Sequence, residues 1–279
     1  MSVDYDLISE IAGTPITTEA ASMVYTRYAL ASELALGRRT LEIGCASGVG
    51  LGLLLRTAAS AVGGDLHLPM LVTARTHYRD RIPLLQFSAS ALPFRNASFD
   101  FVLFLEATYY VPDLHTALDE IGRVLAPGGT VLFANANPER PDFIRSPHSV
   151  HYHSAREFRG LLEMRGFTVE ARAAFPLHEA EGRGLVKEVT SRVLQVVRKV
   201  AEALRLVPRT LAGRARIKRL LFGKLLTLPR ELPPDFAARE TLTPVGAAPV
   251  ADHKVIYIIG TRTATPMQSS IPLSRVHHG

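Results

Sequence analysis

Tryptophan is missing from this chain of 279 residues, and cysteine occurs once, as Cys45. The missing tryptophan excludes nothing of consequence. The single cysteine excludes an internal disulfide, points to a reducing compartment, and leaves a cysteine-based zinc site short of ligands. No apolar run reaches about 18 residues, so no segment reads as a membrane-spanning helix. The opening residues, Met-Ser-Val-Asp-Tyr-Asp, carry no basic stretch leading into an apolar one. A secretory leader is therefore not expected, and the expected location is the cytoplasm.

Hydrophobic residues make up 47% of the chain and charged ones 21%, enough apolar material for one packed core and no mark of global disorder. The net charge of +6 would suit a polyanion-binding protein if it were spread evenly. It is not. Between Arg183 and Arg230, thirteen Lys and Arg stand against Glu188 and Glu202, a net +11, which leaves −5 for the other residues from the total of +6.

The pattern along the chain predicts an α/β fold. Residues 1–38 read as an N-terminal helical segment, with Ala21, Val24, Tyr28, Ala31 and Ala35 at helical spacing. Strands are expected at Thr40–Ile43, Ala61–Gly64, Leu84–Phe87, Phe101–Leu105, Thr130–Ala134, Phe167–Ala173 and Lys254–Arg262. Helices are expected at Leu51–Ala59, Met70–His77, Leu114–Leu125 and Ala155–Arg165, with a turn at Pro127-Gly128-Gly129. Phe101–Leu105 is continuously apolar, as a strand buried on both faces should be. Short connections between alternating strands and helices imply a largely parallel, Rossmann-like sheet covered on both faces. Residues 39–181 and 252–263 would form this domain. Residues 182–251 interrupt it as a basic insert with amphipathic runs at Leu185–Val207 and Ala215–Leu228 and a Pro- and Ala-rich loop over 231–251, and 264–279 read as a disordered tail.

The segment Glu42-Ile43-Gly44-Cys45-Ala46-Ser47-Gly48 joins the first strand to its helix. Such a glycine-rich turn lets a ligand approach the backbone near free N–H groups. A dinucleotide fingerprint starting at Gly44 needs glycines where Ala46 and Val49 stand, and starting at Gly48 it needs one at Leu53. The nicotinamide reading fails on that spacing. Asp65, about twenty residues on at the end of the second strand, suits a ribose with both hydroxyls free.

This chain resembles the class I S-adenosylmethionine-dependent methyltransferases, in particular the small-molecule group that includes the ubiquinone and menaquinone methyltransferases. The likeness runs from about Thr40 to Phe167. Four ordered stretches carry it: Glu42 to Gly48; Gly64-Asp65 with Met70; Ser88-Ala89-Ser90-Ala91-Leu92-Pro93-Phe94 with Ser98-Phe99-Asp100; and Arg123-Val124-Leu125-Ala126-Pro127-Gly128-Gly129. The resemblance implies a seven-stranded sheet whose last strand is antiparallel, S-adenosyl-L-methionine as cofactor, and cofactor contacts from Glu42, Gly44, Cys45, Ala46, Gly48, Asp65, Leu66, Met70, Ser88, Ala89 and Leu105. Two departures stand out. Ala46 replaces the family's second loop glycine, and Ser88 replaces the aspartate that bonds the adenine amino group, so weaker cofactor binding is expected. Against these roles stand plainer ones: Glu42 as a capping carboxylate, Asp65 as a turn former, and Cys45 as a small core residue; the motif string favours the cofactor roles for Glu42 and Asp65, while the Cys45 side chain reads as core.

Methyl transfer asks for alignment, exclusion of water and, for a protonated acceptor, a base. Glu106, Tyr109, Tyr110 and His115 follow the fourth strand, and Asn135 and Asn137 follow the fifth; Glu106, Tyr110 and His153 are the catalytic candidates. Glu106 could instead touch the cofactor or cap a helix. His148, His151 and His153 lack a fourth partner for a metal, so no metal site is expected. The insert leaves three uses open: a peripheral membrane contact through 183–230, a lid over the acceptor, or packing against its twin in a homodimer. Phe222 is the only aromatic between 183 and 230, which argues against nucleic acid. The expected activity is methyl transfer to a small-molecule acceptor, as O-methylation of a hydroxylated metabolite. A quinone or lipid methyltransferase at a membrane surface, and a cofactor-binding protein without catalysis, are the rivals.

Overall fold

The computed structural model describes residues 11–177 and 225–263. The expected helix at Leu185–Val207, most of the run at 215–228 and the tail from 264 lie outside the described residues.

Before the main sheet come β1 (Pro15–Ile16) and α1 (Thr18–Leu34). There follow β2 (Arg39–Ile43), α2 (Leu51–Leu55), β3 (Ser60–Asp65), α3 (Leu68–Tyr78), β4 (Leu84–Gln86), β5 (Phe99–Leu105), α4 (Leu114–Val124) and β6 (Leu125–Ala136). Then come α5 (Ala155–Glu163), β7 (Phe167–Pro176), β8 (Leu226–Thr227), β9 (Thr243–Pro244) and β10 (His253–Arg262). The main sheet has the order β4-β3-β2-β5-β6-β10-β7-β9. Strands β4 to β6 run parallel, and β10 slots between β6 and β7 antiparallel to both.

The apolar run of β5 serves two cores at once. Phe101, Leu103 and Leu105 pack with α1, α2 and α3, whereas Val102 and Phe104 pack with α4 and α5. Each such burial is worth about 1.5–3 kcal/mol on transfer. That opposed packing, more than strand propensity, holds β5 at the centre. On α4, Leu114, Ala117, Leu118, Ile121 and Val124 are buried at helical spacing. Asp113 caps the helix by accepting from the Thr116 N–H at 3.1 Å. Ser154 and Glu157 form a reciprocal capping box on α5.

The expected α/β sheet with an antiparallel last strand is found, with three differences. The residues 243–244, expected in a loop, add a two-residue edge strand against Arg172 and Ala173, making eight strands. Leu226–Thr227, expected at the end of a helix, instead pairs with β1. The reason is burial: Leu228 is fully covered, and its backbone exchanges hydrogen bonds with Gly13 and Thr14. Pro127-Gly128-Gly129, expected as a turn, lies within the span of β6 and bows out, so that pairing jumps from Leu125 opposite Phe99 to Thr130 opposite Phe101.

From β2 the chain steps outward to β3 and β4, then returns to β5 on the other side of β2. The loops after β2 and β5 therefore diverge, which opens a crevice at the carboxyl ends of the strands.

Candidate active site

A cavity of about 430 Å³ fills that crevice. One end is lined by Gly44, Cys45, Ala46, Asp65, Leu66, His67, Phe87, Ser88 and Ala89; the other by Leu105, Glu106, Tyr109, Tyr110, Arg140 and Lys254, with Ala20, Met23, Arg27 and Tyr28 of α1 also on the wall.

The first end is organised by one carboxylate. Asp65 accepts from the Ala46 N–H through Oδ2 and from the His67 N–H through Oδ1, both at 2.8 Å. It thus ties the loop after β2 to the loop after β3. Each oxygen keeps a lone pair for a further donor. Gly44, Ala46 and Gly48 all have positive φ, 72°, 47° and 76°. For Ala46 that conformation is strained, by about 1 kcal/mol. The hydrogen bond to Asp65 holds it there. The thiol of Cys45 is buried, and burial pushes its pKa well up. Ser88 lies on the wall and accepts from the Ser90 N–H at 3.2 Å.

Three residues of the expected cofactor set stand off the wall. Gly48 is keyed into the domain by Tyr78, whose hydroxyl donates to its carbonyl at 2.7 Å and accepts from the Gly52 N–H at 3.0 Å. Met70 is buried on α3. Glu42 is 1% exposed and lies beneath the loop, with Oε1 accepting from the Tyr28 hydroxyl at 2.5 Å. Its Oε2 is buried without a hydrogen bond among the described residues. Burial pushes its pKa up to about 7, against the bond from Tyr28; Asp65 adds to the rise and Arg27 opposes it.

The second end is built from long side chains. Glu106 follows β5 directly with φ 51°, its N–H continuing the pairing with β6 by donating to the Ala134 carbonyl at 2.8 Å. Its Oε1 takes Arg27 Nη1 at 3.2 Å and its Oε2 takes the Tyr109 hydroxyl at 2.9 Å. Tyr109 stacks on Tyr152, ring centroids 4.2 Å apart, and Tyr110 shares a 2.5 Å hydrogen bond with Ser146. These contacts, with the Val150 N–H donating to the Tyr109 carbonyl at 2.7 Å, hold the segment after β6 against the end of β5.

His153 is not on the wall. It precedes the cap of α5 and packs edgewise on Phe158 and on His151, and burial pushes its pKa down. His148 is exposed. His115 contacts Arg165, Asn135 accepts from Thr108, and Asn137 donates to the Val250 and His253 carbonyls, all away from the cavity. Among the described residues no group of three or more His, Cys, Asp or Glu is arranged to hold a metal ion.

Sequence reading missed Arg27, His67, Arg140 and Lys254. For Arg27 a signal existed: it lies three residues after Val24 on the stripe that α1 buries. Arg140 and Lys254 are far apart in sequence, and only the antiparallel pairing of β10 with β6 brings them together.

Residues 41–133 match the model of a family described as a methyltransferase domain. Over 136 residues the chain is 36% identical to phthiotriol/phenolphthiotriol dimycocerosates methyltransferase 1 of Mycobacterium ulcerans, covering 48% of this chain and 49% of that protein. Over 105 residues it is 37% identical to a fatty-acid O-methyltransferase of Mycolicibacterium smegmatis, covering 37% of this chain and 38% of that one. The chain thus spans about half or less of the length of the curated relatives it matches. Among solved structures, the YcgJ protein of Bacillus subtilis is similar with a TM-score of 0.55 at 18% identity, over 86% of this chain and 99% of that one. A methyltransferase of Thermotoga maritima gives 0.55 at 16% identity, over 88% and 92%. Those two likenesses establish the fold, and over residues 41–133, a third of the chain, the family match is to a methyltransferase domain.

Proposed function

We propose that this protein transfers a methyl group from S-adenosyl-L-methionine to an oxygen of a small, lipid-like acceptor. The observation that carries this reading is Asp65 at the end of β3, cross-linking the glycine-rich loop to the His67 loop on the wall of a cavity of about 430 Å³.

The residues fit the cofactor. Asp65 retains an acceptor site on each oxygen for a ribose, Ser88 and Ala89 border the same end, and Gly44 brings bare backbone to the cavity. When bound, S-adenosylmethionine supplies an electrophilic methyl, whose carbon bonds to the acceptor oxygen as the S–C bond breaks and its electrons pass to sulfur. The chain contributes alignment and exclusion of water. Arg27 and Tyr109 grip Glu106 from two sides, which orients its carboxylate toward the cavity to receive a proton where the acceptor oxygen carries one. Tyr110 borders the acceptor. The names of the curated relatives, one acting on phthiotriol dimycocerosates and one on fatty acids, favour a lipid-like acceptor over a small hydroxylated metabolite.

The test is transfer of a labelled methyl group from the donor to a panel of medium- and long-chain fatty acids and alcohols. Label in an ether or ester product supports the reading. Tight binding of donor with no transfer to any oxygen acceptor in the panel counts against it.

A further inference from the structure

Besides Arg27, two cations face the acceptor end of the cavity, and nothing in the methyl-transfer chemistry uses them. Arg140 follows β6 and Lys254 opens β10; the Asn137 N–H donates to the Lys254 carbonyl at 2.9 Å, which fixes the two segments side by side. Both side chains line the cavity. Arg140 is largely buried but poorly held. Its Nε is sealed from solvent and faces Asp142 Oδ1 at 3.5 Å, an ion-pair contact without a hydrogen bond, and the Phe143 ring lies 6.0 Å away. Asp142 is mostly exposed, so this pair is weak. Lys254 pairs with Glu19, which is also mostly exposed.

Neither Asp142 nor Glu19 lines the cavity, so the partners of both cations lie behind the wall. The acids that do line it are engaged elsewhere: Asp65 at the opposite end, and Glu106 with Arg27 and Tyr109. An incoming ligand meets positive charge there, including a planar guanidinium whose ion pair, made through Nε to Asp142, is weak. A planar anion answers that geometry best, because a guanidinium and a carboxylate pair through parallel N–H···O bonds.

We propose that Arg140, supported by Lys254, is an anion-binding subsite that selects acceptors bearing a carboxylate. The proposal rests on the methyl-transfer reading in one respect, that the Asp65 end belongs to the cofactor and this end to the acceptor. A carboxylate also suits the site chemically, since it presents an ionised oxygen and no proton has to be removed before methyl transfer.

The full chain, saturated with S-adenosylhomocysteine, is titrated by calorimetry with decanoate and with 1-decanol. Charge-assisted pairing predicts roughly tenfold or greater preference for decanoate. Arg140→Gln should abolish that preference while changing decanol and S-adenosylhomocysteine affinity less than about twofold, and Arg140→Lys should keep part of it. Should Arg140→Gln melt early, Lys254→Gln decides the matter, with an expected loss of roughly threefold for decanoate alone. Equal binding of the two ligands by the wild type would overturn the proposal, as would an Arg140→Gln variant that loses S-adenosylhomocysteine as much as decanoate. If the wild type binds no S-adenosylhomocysteine, the cofactor reading fails on its own. The decanoate and decanol titrations are then run without it, and a retained preference supports the subsite where its absence sinks it.

Discussion

The two ends of the cavity are made differently. The end around Asp65 is backbone and small side chains, Gly44, Ala46, Ser88 and Ala89, drawn together by two N–H groups on one carboxylate. The end around Glu106 is made of long charged and aromatic side chains, Arg27, Tyr109, Tyr110, Arg140 and Lys254, from four distant parts of the chain. The contrast teaches where each half of the function is encoded. A turn that must admit a nucleoside is a local constraint, written in consecutive residues. An acceptor wall is a product of tertiary packing, and its residues carry no common motif.

Glu42 breaks the contrast most sharply, because it belongs to the loop motif by sequence yet is buried under α1 from the other side. Its pKa, pushed up to about 7 from 4.5, means the neutral form is favoured in the folded state. The stability this contributes is present in full below about pH 4.5 and is lost as pH rises through about 7, amounting to about 3 kcal/mol. Urea unfolding at pH 5 and pH 8 should therefore differ less in Glu42→Gln than in the wild type. An equal difference in the two proteins would mean Glu42 ionises freely.

Arg27 sharpens the second end. Arg27→Met removes one partner of Glu106 in a half-buried pair and is expected to cost about 2 kcal/mol in denaturant unfolding. A cost below about 0.5 kcal/mol would reduce that pair to a surface contact. Tyr110→Phe deletes the bond to Ser146 and should cost about 1 kcal/mol. The same variant should loosen the segment after β6, read as faster amide exchange at Val150; unchanged exchange would show that the Tyr109 contacts hold it without Tyr110. Ala46→Gly is the smallest effect. Relief of the positive φ and the greater freedom of unfolded glycine nearly offset, so the change should stay within about 1 kcal/mol. A large loss would mean the Ala46 methyl packs against something.

The fold was readable because its periods are strong. The continuous run at Phe101–Leu105 and the stripe from Leu114 to Val124 could each form one kind of element, and both did. Leu226–Thr227 misled because its helical spacing also suits a short strand, and burial of Leu228 against Gly13 and Thr14 decided between them. At the site, Gly44, Cys45, Ala46, Asp65, Leu66, Ser88, Ala89, Leu105, Glu106 and Tyr110 all reach the cavity. Gly48, Met70, Glu42 and His153 do not. Motif spacing fixes distance along the chain; which way a side chain turns depends on neighbours such as Tyr78 and Phe158 that no motif contains. Lys254 could not have been read at all without the knowledge that β10 lies beside β6.

No helix among the described residues is long and apolar enough to cross a membrane. The apolar side chain of Leu66, 59% accessible, is on the cavity wall.

The central claim is that the Asp65 end holds the cofactor. Calorimetric titration of the full chain with S-adenosylhomocysteine, wild type against Asp65→Ala, tests it directly. Loss of two backbone ties and two ribose acceptors should weaken binding by roughly a hundredfold or more, with decanoate affinity changed far less. Unchanged binding in Asp65→Ala would contradict the account.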